Sequence, residues 1–284
     1  MKSVKWLLEA NVFDDEIDAI ISAIDKQGLE YKIYTDTPSD PHGFLKLFDA
    51  DDCVIFYGSL GLAQEVRRKA PWTPGVYCNL DRFNCAYYFP RLAQFLLNTP
   101  YMMLPFGELA RRRDEILEYC GVDGKIFVRP NTGFKIFTGK VIDKDTWTKD
   151  LKFLAFHDVQ PEAMVLVSAP RNIRAEWRLV VVGDKVVSGT QYILEGEIKH
   201  GPCPQVILDY GQAVLDQTDY RPEPAWCMDI CSASTETDPG IFAYQVLEVG
   251  AFSTCGLYQC PMYPIVEGVS RVAAQEWEDV YELD

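Results

Sequence analysis

The first part of the chain alternates apolar runs with an amphipathic segment, and this pattern predicts strands separated by helices. Apolar runs predict three strands, at Val4–Glu9, 31–34 and Cys53–Tyr57. Between the first two, Asp14–Lys26 has isoleucines at helical spacing, acids in its first turn and Gly28 beyond its end. Residues 58–69 predict a loop that enters a second helix. Such alternation favours a small α/β subdomain.

The rest of the chain carries both kinds of pattern. Helices are predicted at 109–119 and 264–281, and strands within 126–142, at 164–169 and at 243–249. The clearest hairpin spans 177–192, where two β-branched runs flank the turn dipeptide Gly183-Asp184. The sequence contains no internal repeat and no low-complexity segment. The length of 284 residues is sufficient for two or three compact subdomains.

Composition narrows the class of protein and of partner. The chain has 27 basic and 42 acidic residues, a formal charge of −15, and 48% hydrophobic residues. No apolar run reaches the roughly 20 residues of a bilayer span, and acids follow the N-terminus closely, so we expect a cytoplasmic protein without membrane contact. The acidic balance disfavours nucleic acid as a partner. The nine cysteines are expected to be reduced thiols.

One stretch is basic in this acidic chain, FVRPNTGFKIFTGKV at 127–141. It holds two glycines, three basic residues and no acid. A P-loop requires G-x-x-x-x-G-K-[S/T] between a strand and a helix. Here five residues separate Gly133 from Gly139, and Val141 follows Lys140. We therefore predict a β-hairpin whose glycine-containing loop closes over phosphates with N–H groups and cations. The alternative is an exposed hairpin with solvated lysines.

Two pairs of charged residues accompany this stretch. Glu176 and Arg178 are two apart at the start of a predicted strand, so their side chains face the same way. The alternative for them is a surface ion pair of little energetic value. Asp229 and Glu248 are flanked by apolar residues, and a buried carboxylate is costly unless paired or bound to metal. Two converging carboxylates suit Mg²⁺ beside nucleotide phosphates, although each acid alone could be a structural hydrogen-bond acceptor.

The order of these segments resembles the ATP-grasp family, best from about Tyr101 onward. IFVRPNTGFKIFTGKVI is similar to the family's strand-Lys-Pro segment and flexible glycine loop, with Arg129-Pro130 where Lys-Pro is usual. That replacement resembles a bacterial and phage branch predicted to make amide bonds. EWRLVVVGDKVVSGTQY resembles the strand pair of peptide-ligase-like members that starts with acid-x-Arg. DI at Asp229 and LEVGAFSTCGLY at Glu248 resemble the two metal-binding strands.

The resemblance implies an α/β (α+β) fold with an N-terminal Rossmann-like preATP-grasp subdomain and two α+β lobes that clasp ATP. The corresponding segments are 1–97 for the preATP-grasp subdomain, 98–162 for the lobe with the glycine loop and 163–284 for the lobe with the metal carboxylates. The implied reaction joins a carboxylate to an amine with ATP and Mg²⁺, through an acyl phosphate. The substrates would be a carboxylate and an amine from an amino acid, a peptide or a protein.

The resemblance also implies roles for individual residues. Arg129 would contact the α- or β-phosphate, and Lys135 and Lys140 would lie on or beside the flap over the phosphates. Arg178 would face the γ-phosphate or the acyl phosphate, with Arg129 and Arg178 as the catalytic residues. The remaining assignments are Glu176 in the nucleotide site, Val167, Ser168 and Ala169 in the segment that bonds adenine through its backbone, and Asp229 and Glu248 as Mg²⁺ ligands.

Two departures from the family pattern leave other functions open. The usual Asn ligand two residues after the second carboxylate is replaced by Gly250, for which Ser253 or water would compensate, and the acid near adenine or ribose is replaced by Ser168. One alternative is therefore a degenerate ATP-grasp protein that binds nucleotide without turnover. Another is a zinc site from Cys227, Cys231, Cys255 and Cys260, whose spacing departs from the usual C-x2-C. A third is a nucleic-acid-modifying ligase with basic clusters at 111–113 and 171–174.

Overall fold

The computed structural model describes residues 3–37, 40, 42–133, 136–156, 159–234 and 241–281. The strands are Val4–Glu9 (β1), Glu30–Tyr34 (β2), Cys53–Tyr57 (β3), Thr73–Gly75 (β4), Tyr101–Pro105 (β5), Lys125–Pro130 (β6), Lys140–Asp143 (β7), Met164–Ser168 (β8), Ile173–Val182 (β9), Lys185–Leu194 (β10), Glu197–Pro202 (β11), Ala225–Ser234 (β12) and Phe242–Ala251 (β13). The α-helices are Asp14–Lys26 (α1), Leu60–Lys69 (α2), Cys85–Leu92 (α3), Glu108–Arg111 (α4), Arg113–Cys120 (α5), Trp147–Ala155 (α6), Gln205–Asp216 (α7) and Met262–Tyr281 (α8). The mixed α/β class expected from the sequence is confirmed. None of the described helices combines the length and the apolar composition that a bilayer span requires.

The chain forms two compact units. The first contains Met1–Asn79, Ala175–Ile230 and Glu248–Asp284, and the second contains Leu80–Arg174 and Cys231–Leu247. The division of the sequence into 1–97, 98–162 and 163–284 stays a prediction.

The N-terminal part of the first unit is a parallel sheet in the order β2-β1-β3-β4. Its inward side chains include Trp6, Leu8 and Ile55, which are almost fully buried. Helix α1 contributes Ile20 and Ile24 to the same core. Helix α8 packs on β1, β3, β4 and α1. The predicted strand–helix–strand alternation is therefore confirmed here.

A second sheet has the order β5-β8-β6-β7 and lies in the second unit. Strands β6 and β7 pair antiparallel from Lys125 opposite Asp143 to Val128 opposite Lys140. The hairpin predicted for the basic stretch is thus confirmed. Lys135, at its tip in the sequence, lies outside the described residues.

The third sheet has the order β11-β10-β9-β12-β13. The predicted hairpin is confirmed as β9 and β10, with Gly183 in the turn at a φ of 58°, where a side chain would be strained. The side chains of β12 are buried from Ala225 to Ala233. Helix α7 packs on β10, as does α8. These layers support the two strands, β9 and β12, that carry the candidate site.

Some elements differ from the sequence expectation. The helix predicted at 109–119 is two helices, α4 and α5, because the backbone of Arg112 leaves the helical region at a φ of −105° and a ψ of 23°. Strand β11 was not predicted, since its Glu197–Pro202 segment is mostly exposed and lacks an apolar run. Helix α7 follows Pro204, which offers no side-chain cap, so the usual start signal is missing.

Replacing Gly211 of α7 by alanine is expected to lower the free energy of unfolding by about 1–3 kcal/mol, the usual cost of overpacking a core. The new Cβ atom would lie 2.3 Å from Cδ1 of Leu179, a fully buried residue of β9. Urea denaturation measures the loss.

Gly268 in α8 is the matched control, because the nearest atoms to its added Cβ lie at 3.5 Å, an ordinary contact. Alanine there is expected to be neutral or stabilising by up to about 1 kcal/mol through helix propensity. Equal stabilities of the two variants would contradict the close approach of α7 to β9.

Candidate functional site

An ion pair between Arg178 on β9 and Asp229 on β12 lies inside the first unit. Nε of Arg178 donates to Oδ1 of Asp229 at 2.9 Å, and Nη2 donates to Oδ2 at 2.7 Å. The two side chains are only 11% and 2% exposed. Nη1 of Arg178 also donates to the carbonyl of Gly256 at 2.7 Å. Three of the guanidinium's five N–H donors are used in this way, and the other two have no partner among the described residues.

Glu176 joins this pair through a tyrosine. The hydroxyl of Tyr192 lies 2.7 Å from Oε2 of Glu176 and 3.2 Å from Oδ2 of Asp229. The register of β10 against β9 shifts between Gln191 and Ile193, which places Tyr192 in a β-bulge. A bulge redirects the side chain of its extra residue. Tyr192 therefore connects two carboxylates that lie on different strands.

Aromatic rings cover the guanidinium of Arg178. Its Cζ lies 5.0 Å from the ring centroid of Tyr258 and 5.6 Å from that of Tyr192. The two tyrosine rings stack with centroids 5.0 Å apart, and the ring of His200 lies 5.5 Å from Tyr258. A cation held over aromatic faces is stabilised and loses orientational freedom. These rings therefore fix the plane of the guanidinium.

The cluster contains more negative than positive charge. Burial raises the pKa of Glu176, and the charges of Asp229 and Glu248 raise it further, while the hydrogen bond from Tyr192 opposes them. Burial also raises the pKa of Asp229, with Arg178 opposing this and Glu248 adding to it. The charge of Glu248 thus acts on both Glu176 and Asp229, and Arg178 partly offsets it at each of them. A cation placed near them would relieve their repulsion.

The chemistry of these donors fits a hard cation such as Mg²⁺. Asp229 has about four lone-pair positions. The bonds from Arg178 occupy two of them, and the Tyr192 hydroxyl, 3.2 Å from Oδ2, shares its single proton between Asp229 and Glu176. Glu248, on β13, is partly exposed. Across the described ranges, no set of three or more His, Cys, Asp or Glu side chains forms a metal site by itself. Mg²⁺ beside nucleotides usually takes one or two carboxylates and completes its shell with phosphates and water.

The position two residues after Glu248 has no room for a side chain. A Cβ atom on Gly250 would lie 2.6 Å from Sγ of Cys255. The hydroxyl of Ser253, a candidate substitute for the missing Asn, accepts from the backbone N–H of Tyr77 at 2.9 Å and is fully buried. Ser253 is therefore committed to the fold, and water is the remaining substitute.

The four cysteines considered as zinc ligands do not form a metal site. A hydrogen bond with Cys227 lowers the pKa of Cys255 and raises that of Cys227, so these two thiols are neighbours. Sγ of Cys231 instead donates to the carbonyl of Gln245 at 3.5 Å. All four cysteines belong to the described residues, in which no metal-holding set of three ligands occurs. The zinc alternative is wrong.

The basic hairpin of the second unit carries the candidate phosphate ligands. Nζ of Lys140 lies 3.0 Å from Oδ1 of Asp150 and 4.3 Å from the ring centroid of Phe153, so it is already held on α6. Arg129 is partly exposed on β6. A Cβ atom on Gly139 would lie 2.5 Å from Cζ of Phe127. Packing therefore explains this glycine.

For Gly133, the other glycine of the hairpin, no atom of the described residues lies within 4 Å of an added Cβ, so packing against those residues does not explain it.

Strand β8 contains the segment expected to contact adenine. Val167 and Ser168 have register partners on both sides, in β5 and in β6. The hydroxyl of Ser168 accepts from Nδ2 of Asn98 at 2.8 Å. Ala169 follows the end of β8. Of the three residues, Ala169 is the one whose backbone lies beyond the strand pairing.

The other basic clusters have intramolecular partners. Arg111 and Arg112 pair with Glu108 and Glu115 one helical turn away. Nη2 of Arg113 donates to the carbonyl of Lys144 at 2.8 Å, and Arg171 donates to the carbonyl of Thr99 at 2.9 Å. These contacts favour solvated helix and loop surfaces over a nucleic-acid site.

Several residues of the cluster were not predicted from the sequence. Tyr192 was missed because a bulge, invisible in hydrophobic periodicity, directs its side chain. Gly256 and Tyr258 were missed because they act from a loop, through a carbonyl and a ring. The cluster as a whole is a guanidinium bonded to Asp229 and to the carbonyl of Gly256, with Glu176 and Glu248 near enough to act on one another electrostatically. Two of its N–H donors have no partner among the described residues.

Comparison with protein families gives one match. The family model "ATP-grasp domain, R2K clade family 2" matches residues 114–264, just over half of the chain. No curated protein matches the sequence.

Solved structures share the fold over nearly the whole chain. D-cycloserine synthetase DcsG superposes with a TM-score of 0.64 and 12% identity, over 95% of this chain and 100% of that chain. D-alanine–D-alanine ligase from Bacillus anthracis gives 0.58 and 12%, over 97% and 100%. The ATP-grasp ligase PsnB, complexed with its minimal precursor, Mg and ADP, gives 0.55 and 12%, over 96% and 98%. The expected ATP-grasp fold is confirmed.

Replacing Tyr192 by phenylalanine is expected to lower the free energy of unfolding by about 1–3 kcal/mol near neutral pH, the cost of leaving a buried polar group without its partner. The variant keeps the ring stack and removes the hydroxyl that lies 2.7 Å from Glu176 and 3.2 Å from Asp229. Urea denaturation at several pH values measures the loss.

The stability lost in Tyr192→Phe is expected to be larger at high pH than at low pH. Glu176 needs the donor only when ionised, so the loss is complete above its pKa in the folded protein and shrinks as the pH falls through that value. Tyr263→Phe is the control, since that side chain is 46% exposed. A Tyr192→Phe loss that stays constant with pH would contradict the role of the hydroxyl.

Proposed function

This chain belongs to the ATP-grasp domain family, R2K clade family 2, and from that premise we propose that it is an ATP- and Mg²⁺-dependent ligase that joins a carboxylate to an amine. The observation that carries the proposal is the buried cluster of Arg178, Asp229, Glu176 and Tyr192. A guanidinium beside carboxylates that could hold a metal supplies two ways to stabilise the charge of a phosphoryl group in transfer.

Charge repulsion is the main obstacle to the proposed reaction. A carboxylate that approaches a triphosphate meets several negative charges, so catalysis consists mainly of neutralising charge and aligning the reactants. The two remaining N–H donors of Arg178 would bind the γ-phosphate or the acyl phosphate. Because the rings of Tyr192 and Tyr258 hold the guanidinium in one plane, its donors need little reorganisation.

Asp229 and Glu248 would hold Mg²⁺ in this proposal. Bound there, the metal would neutralise phosphate charge and polarise the phosphoryl group. Asp229 would offer a lone pair that Arg178 does not use while it still bonds to Arg178. It would thus keep the arginine next to the phosphoryl group being transferred. Glu176, bonded to Tyr192, would hold that tyrosine in place at the nucleotide site.

The proposed reaction needs no side-chain nucleophile, because the two substrates supply the attacking atoms. An oxygen of the substrate carboxylate bonds to the γ-phosphorus, and the bond from that phosphorus to the bridging oxygen breaks, which releases ADP. The amine nitrogen then bonds to the carbonyl carbon of the acyl phosphate. The carbon–oxygen bond to phosphate breaks, phosphate leaves and the amine gives up a proton to solvent.

Residues of the basic hairpin and of β8 are proposed as further nucleotide contacts. Arg129 and Lys140 are proposed to bind phosphates, with Lys140 exchanging its contact with Asp150 for the nucleotide. Lys135 keeps its proposed place on the flap. Val167, Ser168 and Ala169 are proposed as the segment at adenine, where Ala169 has backbone groups outside the strand pairing.

Proteins of similar fold support the substrate class. They include D-cycloserine synthetase, D-alanine–D-alanine ligase and PsnB complexed with its minimal precursor. We therefore take an amino acid, a peptide or a protein as the source of the carboxylate and the amine.

Nucleotide binding without turnover is a second candidate, favoured by the lack of space at Gly250. With Cys255 filling that position, a third protein ligand for Mg²⁺ would be absent from the usual place. ADP release in a screen of amino acids and peptides separates the candidates: nucleotide binding with no ADP in any mixture favours the second.

Glu248→Gln and Asp229→Asn are expected to lower ADP formation from Mg·ATP at least about a hundredfold, because several kcal/mol of charge stabilisation would be lost. Circular dichroism should show that the fold survives. The matched control is Glu267→Gln, an exposed residue of α8, which should retain wild-type turnover. Normal turnover in both site variants would contradict the assignment of Asp229 and Glu248 as Mg²⁺ ligands.

Arg129→Lys is expected to lower kcat/KM for ATP about tenfold, because lysine cannot donate two parallel hydrogen bonds to a phosphate. Lys125→Arg is the control, because it makes the reverse exchange on the same strand. Nζ of Lys125 lies 3.9 Å from Oδ2 of Asp143, and the variant should keep the wild-type kcat/KM for ATP. Full activity of Arg129→Lys would mean that the arginine is incidental.

A further inference from the structure

A buried carboxylate of α1 lies behind the cluster that holds Arg178. Glu16 is in the first turn of α1 and is 6% exposed, whereas its neighbours Asp14 and Asp15 are exposed. The helix N-terminus favours a negative charge there, but an exposed acid would serve that purpose equally well. Burial of Glu16 therefore requires a further reason.

The bonding partners of Glu16 supply that reason. Its Oε2 accepts from the backbone N–H of Leu257 at 2.7 Å, and its Oε1 accepts from that of Tyr258 at 2.7 Å. The hydroxyl of Tyr57 lies 2.8 Å from Oε2 and also 2.8 Å from the carbonyl of Cys255. The carboxylate thus holds Leu257 and Tyr258. The hydroxyl of Tyr57 lies between that carboxylate and Cys255 and shares its single proton between those two acceptors.

The same segment holds Arg178. The carbonyl of Gly256 accepts from Nη1 of Arg178 at 2.7 Å, and the ring of Tyr258 lies 5.0 Å from its Cζ. A Cβ atom on Gly256 would lie 3.2 Å from Oε1 of Glu16, so the carboxylate and the segment are in close contact. A movement of the segment would therefore reach the guanidinium directly.

Tyr258 also has a backbone conformation that needs support. Its φ of 53° is in the left-handed region, which costs a residue with a side chain on the order of 1 kcal/mol and persists only where surrounding contacts enforce it. The bond from its N–H to Glu16 is such a contact. Without it, the residue would relax and withdraw its ring from Arg178.

We propose that Glu16 is a positioning residue for Arg178, acting with Tyr57 through the 255–258 segment. The proposal rests on the proposed function, because it assigns Glu16 to the turnover step in which Arg178 contacts phosphate. Glu16 does not touch the reacting atoms. It fixes the direction of the two N–H donors that would.

Glu16→Gln tests the proposal with a change of one atom. The amide nitrogen cannot accept from a backbone N–H, so one of the two bonds to the segment is lost. We expect ADP formation with a carboxylate and an amine from the screen to fall about tenfold, with the KM for ATP within about twofold. Asp15→Asn, the same exchange at the exposed neighbouring residue, should leave both unchanged.

A second readout needs no substrate. The Nε–H signal of Arg178 in an NMR spectrum, assigned by its absence in Arg178→Lys, should shift or broaden in Glu16→Gln and stay unchanged in Asp15→Asn. A folded Glu16→Gln protein with a wild-type Arg178 signal would overturn the proposal. If wild type forms no ADP in any mixture, the proposed function fails, and the signal still decides whether Glu16 positions Arg178.

Tyr57→Phe covers the case in which Glu16→Gln does not fold. It keeps the ring and the backbone bonds of Glu16 and removes one hydroxyl. The Arg178 signal should change in the same direction by a smaller amount. An unchanged signal in folded Tyr57→Phe, when Glu16→Gln is unfolded, would count against positioning through this segment.

Discussion

The buried ion pair of Arg178 and Asp229 is the interaction on which the polar cluster of the first unit depends. A buried ion pair is stable only where its two groups are well aligned and further hydrogen bonds satisfy the donors and acceptors that the pair itself does not use. Here those bonds come from Gly256 and Tyr192. Each partner belongs to a different strand or loop, so the requirement to satisfy two charges fixes four chain segments relative to one another.

Much of the fold could be predicted from local pattern. The bounds of β1 and β3 follow from runs of apolar residues, and those of α1 follow from apolar residues at helical spacing. Both patterns depend on neighbouring residues alone. The hairpin of β9 and β10 follows from its turn dipeptide. Local pattern does not predict helix α7 or strand β11, because the helix begins without a side-chain cap and the strand is mostly exposed. Tertiary contacts, rather than local preference, establish them.

The site was predictable in part for the same reason. Strand alternation places Glu176 and Arg178 on one face, and apolar flanks mark Asp229 as buried. No local signal reveals a bulge at Tyr192 or the bond from Leu257 to Glu16, which joins residues 241 apart. The two glycines of the basic hairpin show that similar sequence contexts can have different structural causes. Their sequence contexts look alike, yet Gly139 is explained by the ring of Phe127, and Gly133 is not.

The assembly of the first unit from three separate chain segments has a consequence for its synthesis. Trp6 donates to Ser270 across 264 residues at 3.1 Å, and α8 covers the sheet that begins with β1. On the ribosome, the strands of that sheet emerge long before the helix that shields them. Their apolar side chains must meanwhile remain exposed, the state in which nascent chains aggregate or bind chaperones. The polar cluster, which needs the 255–258 segment, is therefore completed only after that segment has emerged, long after β1.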